Sequence, residues 1–155
     1  MLGPFKALLV DIGNTQIKYA LVNQIEDTND IHYCQTVKAL GEYIPVVDQI
    51  LVSCVGDSCG IVSLTSLAEQ CHTPIRFVQT QAEQFGVRCA YQNFSTLGVD
   101  RWLAVLAAEQ ETRLPCAVLD LGTANTCDIL VDKQHHGGWI APGFSLMRES
   151  LLINM

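Results

Sequence analysis

Two segments of the chain repeat one pattern, and that repeat limits the fold more than any other feature. Leu8-Leu9-Val10-Asp11-Ile12-Gly13-Asn14-Thr15 and Ala117-Val118-Leu119-Asp120-Leu121-Gly122-Thr123-Ala124 each pass from an apolar strand to an Asp, an aliphatic residue, a Gly and small residues. A second apolar run follows each, ending Ala20-Leu21-Val22 in one and Ile129-Leu130-Val131 in the other, at a constant offset. This is one hairpin unit used twice. The Gly allows a tight turn with backbone N–H groups facing outward, where they and the hydroxyls of Thr15 and Thr123 can hold phosphate oxygens. An adjacent Asp can hold a cation directly or through water. Two such tips facing each other would clamp a nucleotide triphosphate between two domains.

The rest of the chain reads as a mixed α/β protein. Lys6–Asp11 and Gln16–Val22 are strands around a tip at Ile12–Thr15, and residues 23–30 form a polar, acidic loop. Ile31–Gln35 is a third strand and Leu40–Val47 a helix broken by Pro45. Ile50–Val55 is a buried strand, Val62–Cys71 has helical spacing, and Ile75–Val78 returns as a strand. Leu97-Gly98-Val99-Asp100-Arg101-Trp102 opens the clearest helix, with Trp102, Val105 and Leu106 on its core face. The polar stretch 110–113 before Pro115 marks the domain boundary, giving domains 1–114 and 115–155. Beyond the second hairpin come a polar turn at Asp132–Gly137 and a short strand at Gly138–Ala141. The break at Pro142-Gly143 precedes a helix that Ser145 would cap. His135 and His136 fall in that polar turn and read as solvated residues, with a role near the phosphates as the alternative.

Composition narrows the partners. Of 155 residues, 49% are hydrophobic, enough for a buried core, and the formal net charge is −7. Such a surface repels a long phosphate backbone, so nucleic acid is not expected as a partner. The seven cysteines form no Cys-x-x-Cys pair and the four histidines supply no zinc spacing, so the cysteines read as reduced core residues of a cytoplasmic protein. The run Ala7–Val10 is too short for a signal peptide, and no membrane association is expected.

Four motifs carry a family resemblance. Asp11-Ile12-Gly13-Asn14-Thr15-Gln16-Ile17-Lys18 resembles the first phosphate loop of type III pantothenate kinases, and Leu97-Gly98-Val99-Asp100-Arg101-Trp102 resembles their substrate and catalytic motif. Asp120-Leu121-Gly122-Thr123-Ala124-Asn125-Thr126-Cys127-Asp128 resembles the second phosphate loop, and Gly137–Gly143 with Leu146-Met147 and Ser150-Leu151 the stretch after it. The resemblance implies the acetate kinase, sugar kinase, heat-shock chaperone and actin superfamily, built from two ribonuclease-H-like domains. Here the first would be complete and the second only begun.

The implied reaction transfers the ATP γ-phosphate to the primary hydroxyl of pantothenate, the first step of coenzyme A synthesis. By the same resemblance, residues Asp11 to Lys18 bind the nucleotide phosphates with Asp11 near Mg²⁺, and Thr123 touches ATP. Asp120 holds a monovalent cation, K⁺ or NH₄⁺. Tyr91, Gly98, Val99, Asp100 and Arg101 meet pantothenate, Asp100 is the proton acceptor, and the enzyme is a homodimer. Phosphoryl transfer needs positioning, charge neutralisation and a carboxylate near the attacking hydroxyl, which fits this residue set.

Other readings stand beside these. Asp100 can be a carboxylate favoured by the helix dipole, Arg101 a surface charge and Tyr91 a core or edge residue. Phe94 stands where the family usually has proline. Family members continue past the position of Met155, so the chain reads as a gene fragment, a shortened piece, or a split or degenerate member. Residues 116–155 should then leave apolar surface uncovered, including parts of Ile129, Ile140, Leu146 and Leu151. The alternative function is a non-catalytic, nucleotide-binding accessory or regulatory protein of the same fold. A third is a related kinase acting on another small hydroxyl compound.

Overall fold

A computed structural model describes residues 5–23, 30–56, 58–111 and 115–153. Most of the acidic loop expected at 23–30 and part of the break at 110–113 lie outside these residues. The architecture is mixed α/β, as expected, and it holds two five-stranded sheets. The chain divides into two compact units, Met1–Val78 and Gln79–Met155.

The first unit holds β1 (Ala7–Ile12), β2 (Ile17–Val22), β3 (His32–Cys34), β4 (Gln49–Cys54), α1 (Ser58–Gln70) and β5 (Ile75–Phe77). Its sheet order is β3-β2-β1-β4-β5, with β1 antiparallel to β2 and parallel to β4. The apolar run of β1 is continuous because the strand lies mid-sheet and is covered on both faces. Leu8, Ile50, Val52 and Leu64 are fully buried, each contributing roughly 1.5–3 kcal/mol through burial. The helix expected over Leu40–Val47 is instead two short 3₁₀ turns, Val37–Leu40 and Ile44–Val46. Pro45 lacks the N–H that an α-helix interior requires, and Gly41 weakens the helix before it.

The second unit holds β6 (Glu83–Gln84), β7 (Val87–Arg88), α2 (Val99–Glu111), β8 (Cys116–Leu121), β9 (Ala124–Val131), β10 (Gln134–Pro142) and α3 (Phe144–Ile153). The sheet order is β6-β7-β10-β9-β8. The contact division falls ahead of the expected boundary at 114, because β7 pairs with β10 and α2 packs on β8 and β9. The β6–β7 hairpin was not foreseen; it turns on Phe85 and Gly86, both at positive φ. Asp132 and Lys133 make a similar turn, which leaves 134–137 in β10 rather than in a loop. Helix α3 starts one residue before Ser145, since Gly143 already accepts the Met147 N–H.

The two repeated segments are both antiparallel hairpins. Their register corrects the constant offset. Ala7 lies opposite Val22, but its counterpart Cys116 lies opposite Leu130, one residue earlier. The second tip is a residue shorter: the Gly13 N–H bonds to the Gln16 carbonyl, and the Gly122 N–H to that of Ala124. Their surroundings differ too. Strand β1 pairs on both sides, whereas β8 pairs with β9 alone among the described residues and is mostly exposed. Ile129, Ile140, Leu146 and Leu151 are all exposed, as expected of an uncovered surface.

Candidate functional site

In the first unit the candidate phosphate loop is the β1–β2 tip. Asp11 is the penultimate residue of β1, opposite Lys18, while Asn14 and Thr15 stand exposed at the turn and Ile12 and Ile17 are buried beneath it. The Val55 and Gly56 N–H groups both bond to the Ile12 carbonyl, which ties the tip to the chain leading into α1. Gly56 is required there, because a methyl group would lie 2.6 Å from the Gly13 carbonyl oxygen. Asp11 Oδ1 and the hydroxyl of Ser53, its neighbour across β4, are buried without a hydrogen-bond partner among the described residues. An orphaned carboxylate oxygen beside a turn of backbone N–H groups suits a hydrated divalent cation carried in with a nucleotide.

The second tip lies in the second unit. Asp120 is exposed near the end of β8 with Thr126 opposite, and Thr123 is exposed in the turn. The Gly143 N–H bonds to the Thr123 carbonyl at 2.8 Å, so the tip rests against the start of α3. A side chain on Gly143 would collide with the Gly122 and Thr123 carbonyl oxygens. Each tip therefore leans on a glycine that leads into a helix, an arrangement that suits an anion. No cluster of three or more His, Cys, Asp or Glu side chains that could hold a metal ion occurs among the described residues.

The substrate motif opens α2. Gly98 accepts the Trp102 N–H, Val99 and Trp102 are buried, and Asp100 sits in the first turn. Asp100 Oδ1 accepts the Arg101 N–H at 2.7 Å, which fixes the carboxylate at the helix end. The Arg101 guanidinium turns inward. Its Nε and Nη2 bond to Asp128 Oδ2 and Oδ1 at 2.8 and 2.7 Å. Asp128 Oδ1 also lies 2.9 Å from His135 Nε2, and both Asp128 and His135 are buried. The Tyr91 ring lies 5.8 Å from the His135 ring.

The electrostatics follow from this packing. Burial alone would push the Asp128 carboxyl up, but hydrogen bonds from His135 and Arg101, with the Arg101 charge, hold it below its ordinary value. The Asp128 hydrogen bond raises Arg101 above its ordinary value against the effect of burial, and Tyr91 adds to the rise.

Sequence reasoning missed Asp128 and misread His135. Asp128 falls in the second loop motif without a role of its own, although an Asp inside an apolar strand is a signal of a buried, paired carboxylate. His135 is not a solvated turn residue but is fully buried, because the turn is only Asp132-Lys133 and β10 begins at Gln134. His136, its neighbour, is exposed. Arg101 is an inward-facing group rather than a surface charge. The described cysteines are unpaired and mostly half-buried, with Cys71 exposed. No helix among the described residues is long and apolar enough to cross a membrane.

Comparison with known proteins converges on one family. The family model for type III pantothenate kinase matches residues 7–154. A type III pantothenate kinase from Pseudoalteromonas atlantica is 48% identical over 153 residues, covering 96% of this chain and 62% of the relative. One from Hydrogenovibrio crunogenus is 34% identical over 158 residues, covering 95% of this chain and 62% of the relative. This chain thus spans less than two thirds of the length of these relatives. The crystal structure of a conserved Baf family protein from Campylobacter jejuni matches with a TM-score of 0.58 at 20% identity. It covers 96% of this chain and 60% of its own, a likeness of fold.

Proposed function

Because this chain belongs to the type III pantothenate kinase family, we propose that it serves the ATP-dependent phosphorylation of pantothenate to 4'-phosphopantothenate in coenzyme A synthesis. The observation that carries this reading is the opening turn of α2, where a carboxylate, Asp100, adjoins a guanidinium, Arg101, that is held by Asp128. One group can take a proton and the other can hold an anionic end of the acceptor.

Each residue then has a task. The turn from Asp11 to Lys18 and the hydroxyl of Thr123 hold nucleotide phosphates through N–H and O–H donors. Asp11 would hold Mg²⁺, directly or through water, and the ion would supply neutralisation of phosphate charge. Asp120 is the candidate ligand for K⁺ or NH₄⁺. Gly98 and Val99 shape the wall beside the acceptor, and Tyr91 and Arg101 hold it. Asp100 receives the proton of the attacking hydroxyl late in a loose transition state.

The order β3-β2-β1-β4-β5 of the first sheet and the β8-β9-β10 meander of the second support two ribonuclease-H-like halves. On this reading the first spans 1–114, whose α2 packs with the second by contact, and the second begins at 115. Family membership likewise favours a cytoplasmic homodimer. Coupled measurement of ADP release, with and without pantothenate, tests the proposal. Pantothenate-dependent release supports it; release only with another acceptor, or none at all, overturns it in favour of a different kinase or a non-catalytic protein.

A further inference from the structure

The polar cluster behind α2 is more elaborate than contact with an acceptor alone would need. Arg101 spends two of its five N–H groups on Asp128, and the others remain on the far edge of the guanidinium. His135 links this pair to a second place. Its Nδ1 lies 3.4 Å from the Ala90 backbone nitrogen, which can only donate. Nδ1 is therefore the acceptor, and the ring is the neutral tautomer that donates from Nε2 to Asp128. Ala90 precedes Tyr91, so one buried ring fixes both the chain at Tyr91 and, through Asp128, the head of Arg101. The backbone makes room for this on purpose. The register of β10 shifts between His135 and Gly138, and a side chain at Gly138 would strike Asp128 Oδ1 and come within 2.8 Å of Arg101 Nη2.

We infer that Asp128 and His135 are positioning residues that lock Tyr91 and Arg101 into one anion-reading pair, and that this lock sets the preference for an acceptor ending in a carboxylate. The inference rests on the proposed reading that Tyr91 and Arg101 meet the acceptor. A free arginine side chain would sample many rotamers and lose much of its binding gain in being ordered; a clamped one is ordered before the acceptor arrives.

The test compares binding of pantothenate and of panthenol, its analogue with an alcohol in place of the carboxylate, to the 155-residue chain by calorimetry. The wild type should prefer pantothenate by about tenfold or more, the scale expected when a charged hydrogen bond is lost. Asp128→Asn and His135→Gln should bring that preference to within about threefold while leaving panthenol affinity unchanged. Equal losses for both compounds, or an intact preference, would overturn the assignment by showing a merely structural role. Should the wild type bind neither compound, the acceptor reading fails, and the lock is judged by the ¹⁵N resonance of Arg101 Nε. A sharp, exchange-protected signal that Asp128→Asn and His135→Gln both abolish sustains it. An averaged signal in the wild type overturns it.

Discussion

Arg101 and Asp128, far apart in sequence, meet through two parallel hydrogen bonds, with only 13% of the first side chain and 2% of the second exposed. The pair joins the first turn of α2 to the middle of β9, so the site and the second core share one contact. Geometry of this fork type restrains direction as well as distance, which a lysine in place of Arg101 would not do.

That pairing gives a signed dependence on pH. Asp128 titrates below its ordinary value when folded and near 3.9 when unfolded, so it stabilises the fold fully above about pH 4. The contribution disappears as pH falls through the lower, folded value. Asp128→Asn should cost about 3 kcal/mol near pH 7, the scale for breaking a buried pair. The gap between variant and wild type should close on acidification. Urea denaturation of both at pH 7, 5 and 3 checks it; a gap that stays constant would show that the charge is not what stabilises.

Asp100 supplies the second expectation. Asparagine keeps its size and its acceptor for the Arg101 N–H but removes the base. In turnover with ATP and pantothenate, Asp100→Asn should lower kcat on the order of 10²–10⁴-fold, the usual worth of a positioned base. ATP affinity should barely change, since neither tip is touched. Near-normal turnover would make Asp100 a positioning group, and lost ATP binding would show that the role is misassigned.

Much of this arrangement was legible in the sequence, and the rest was hidden for identifiable reasons. The hairpins showed through because Asp-x-Gly interrupts long apolar runs, and α2 showed through its periodicity. The β6–β7 hairpin did not, because Phe85 takes a positive φ that its residue type gives no cause to expect. His135 was lost with it. Two polar residues beside Asp132 and Lys133 look like more turn, and only pairing with Leu130 puts His135 in the core. The one-residue slip between the two hairpins was invisible as well, since it arises in tip hydrogen bonds and not in the apolar pattern.

Gly143 carries the third expectation. Its N–H holds the Thr123 carbonyl, and its missing side chain lets the second tip rest on the start of α3. Gly143→Ala forces the two apart. Nucleotide affinity, read by calorimetry with ATP, should fall about tenfold or more, while the Arg101 resonance stays unchanged because the clamp lies elsewhere on β9 and β10. Unchanged ATP affinity would remove Thr123 from the phosphate site.

The last expectation concerns the face of the second sheet turned away from α2. Register puts Leu119, Cys127 and Trp139 in one row across β8, β9 and β10, with Ala117 and Ile129 in another row on the same side. Leu121 extends the face, and Leu119, Leu121, Ile129 and Trp139 are all exposed. The opposite face, with Val118, Asp128 and Leu130, is the one α2 covers. Water against so many contiguous apolar side chains is costly, and among the described residues nothing pairs with the outer edge of β8. The 155-residue chain by itself should therefore bind a hydrophobic dye and self-associate as its concentration rises. Replacing Leu119 and Leu121 together with lysine should lower both dye fluorescence and light scattering severalfold without altering the Arg101 clamp, whose residues lie on the other face. A wild-type chain that stays monomeric at high concentration and leaves the dye dark would mean that this face is covered in solution, and the two lysines would then destabilise the unit instead of freeing it.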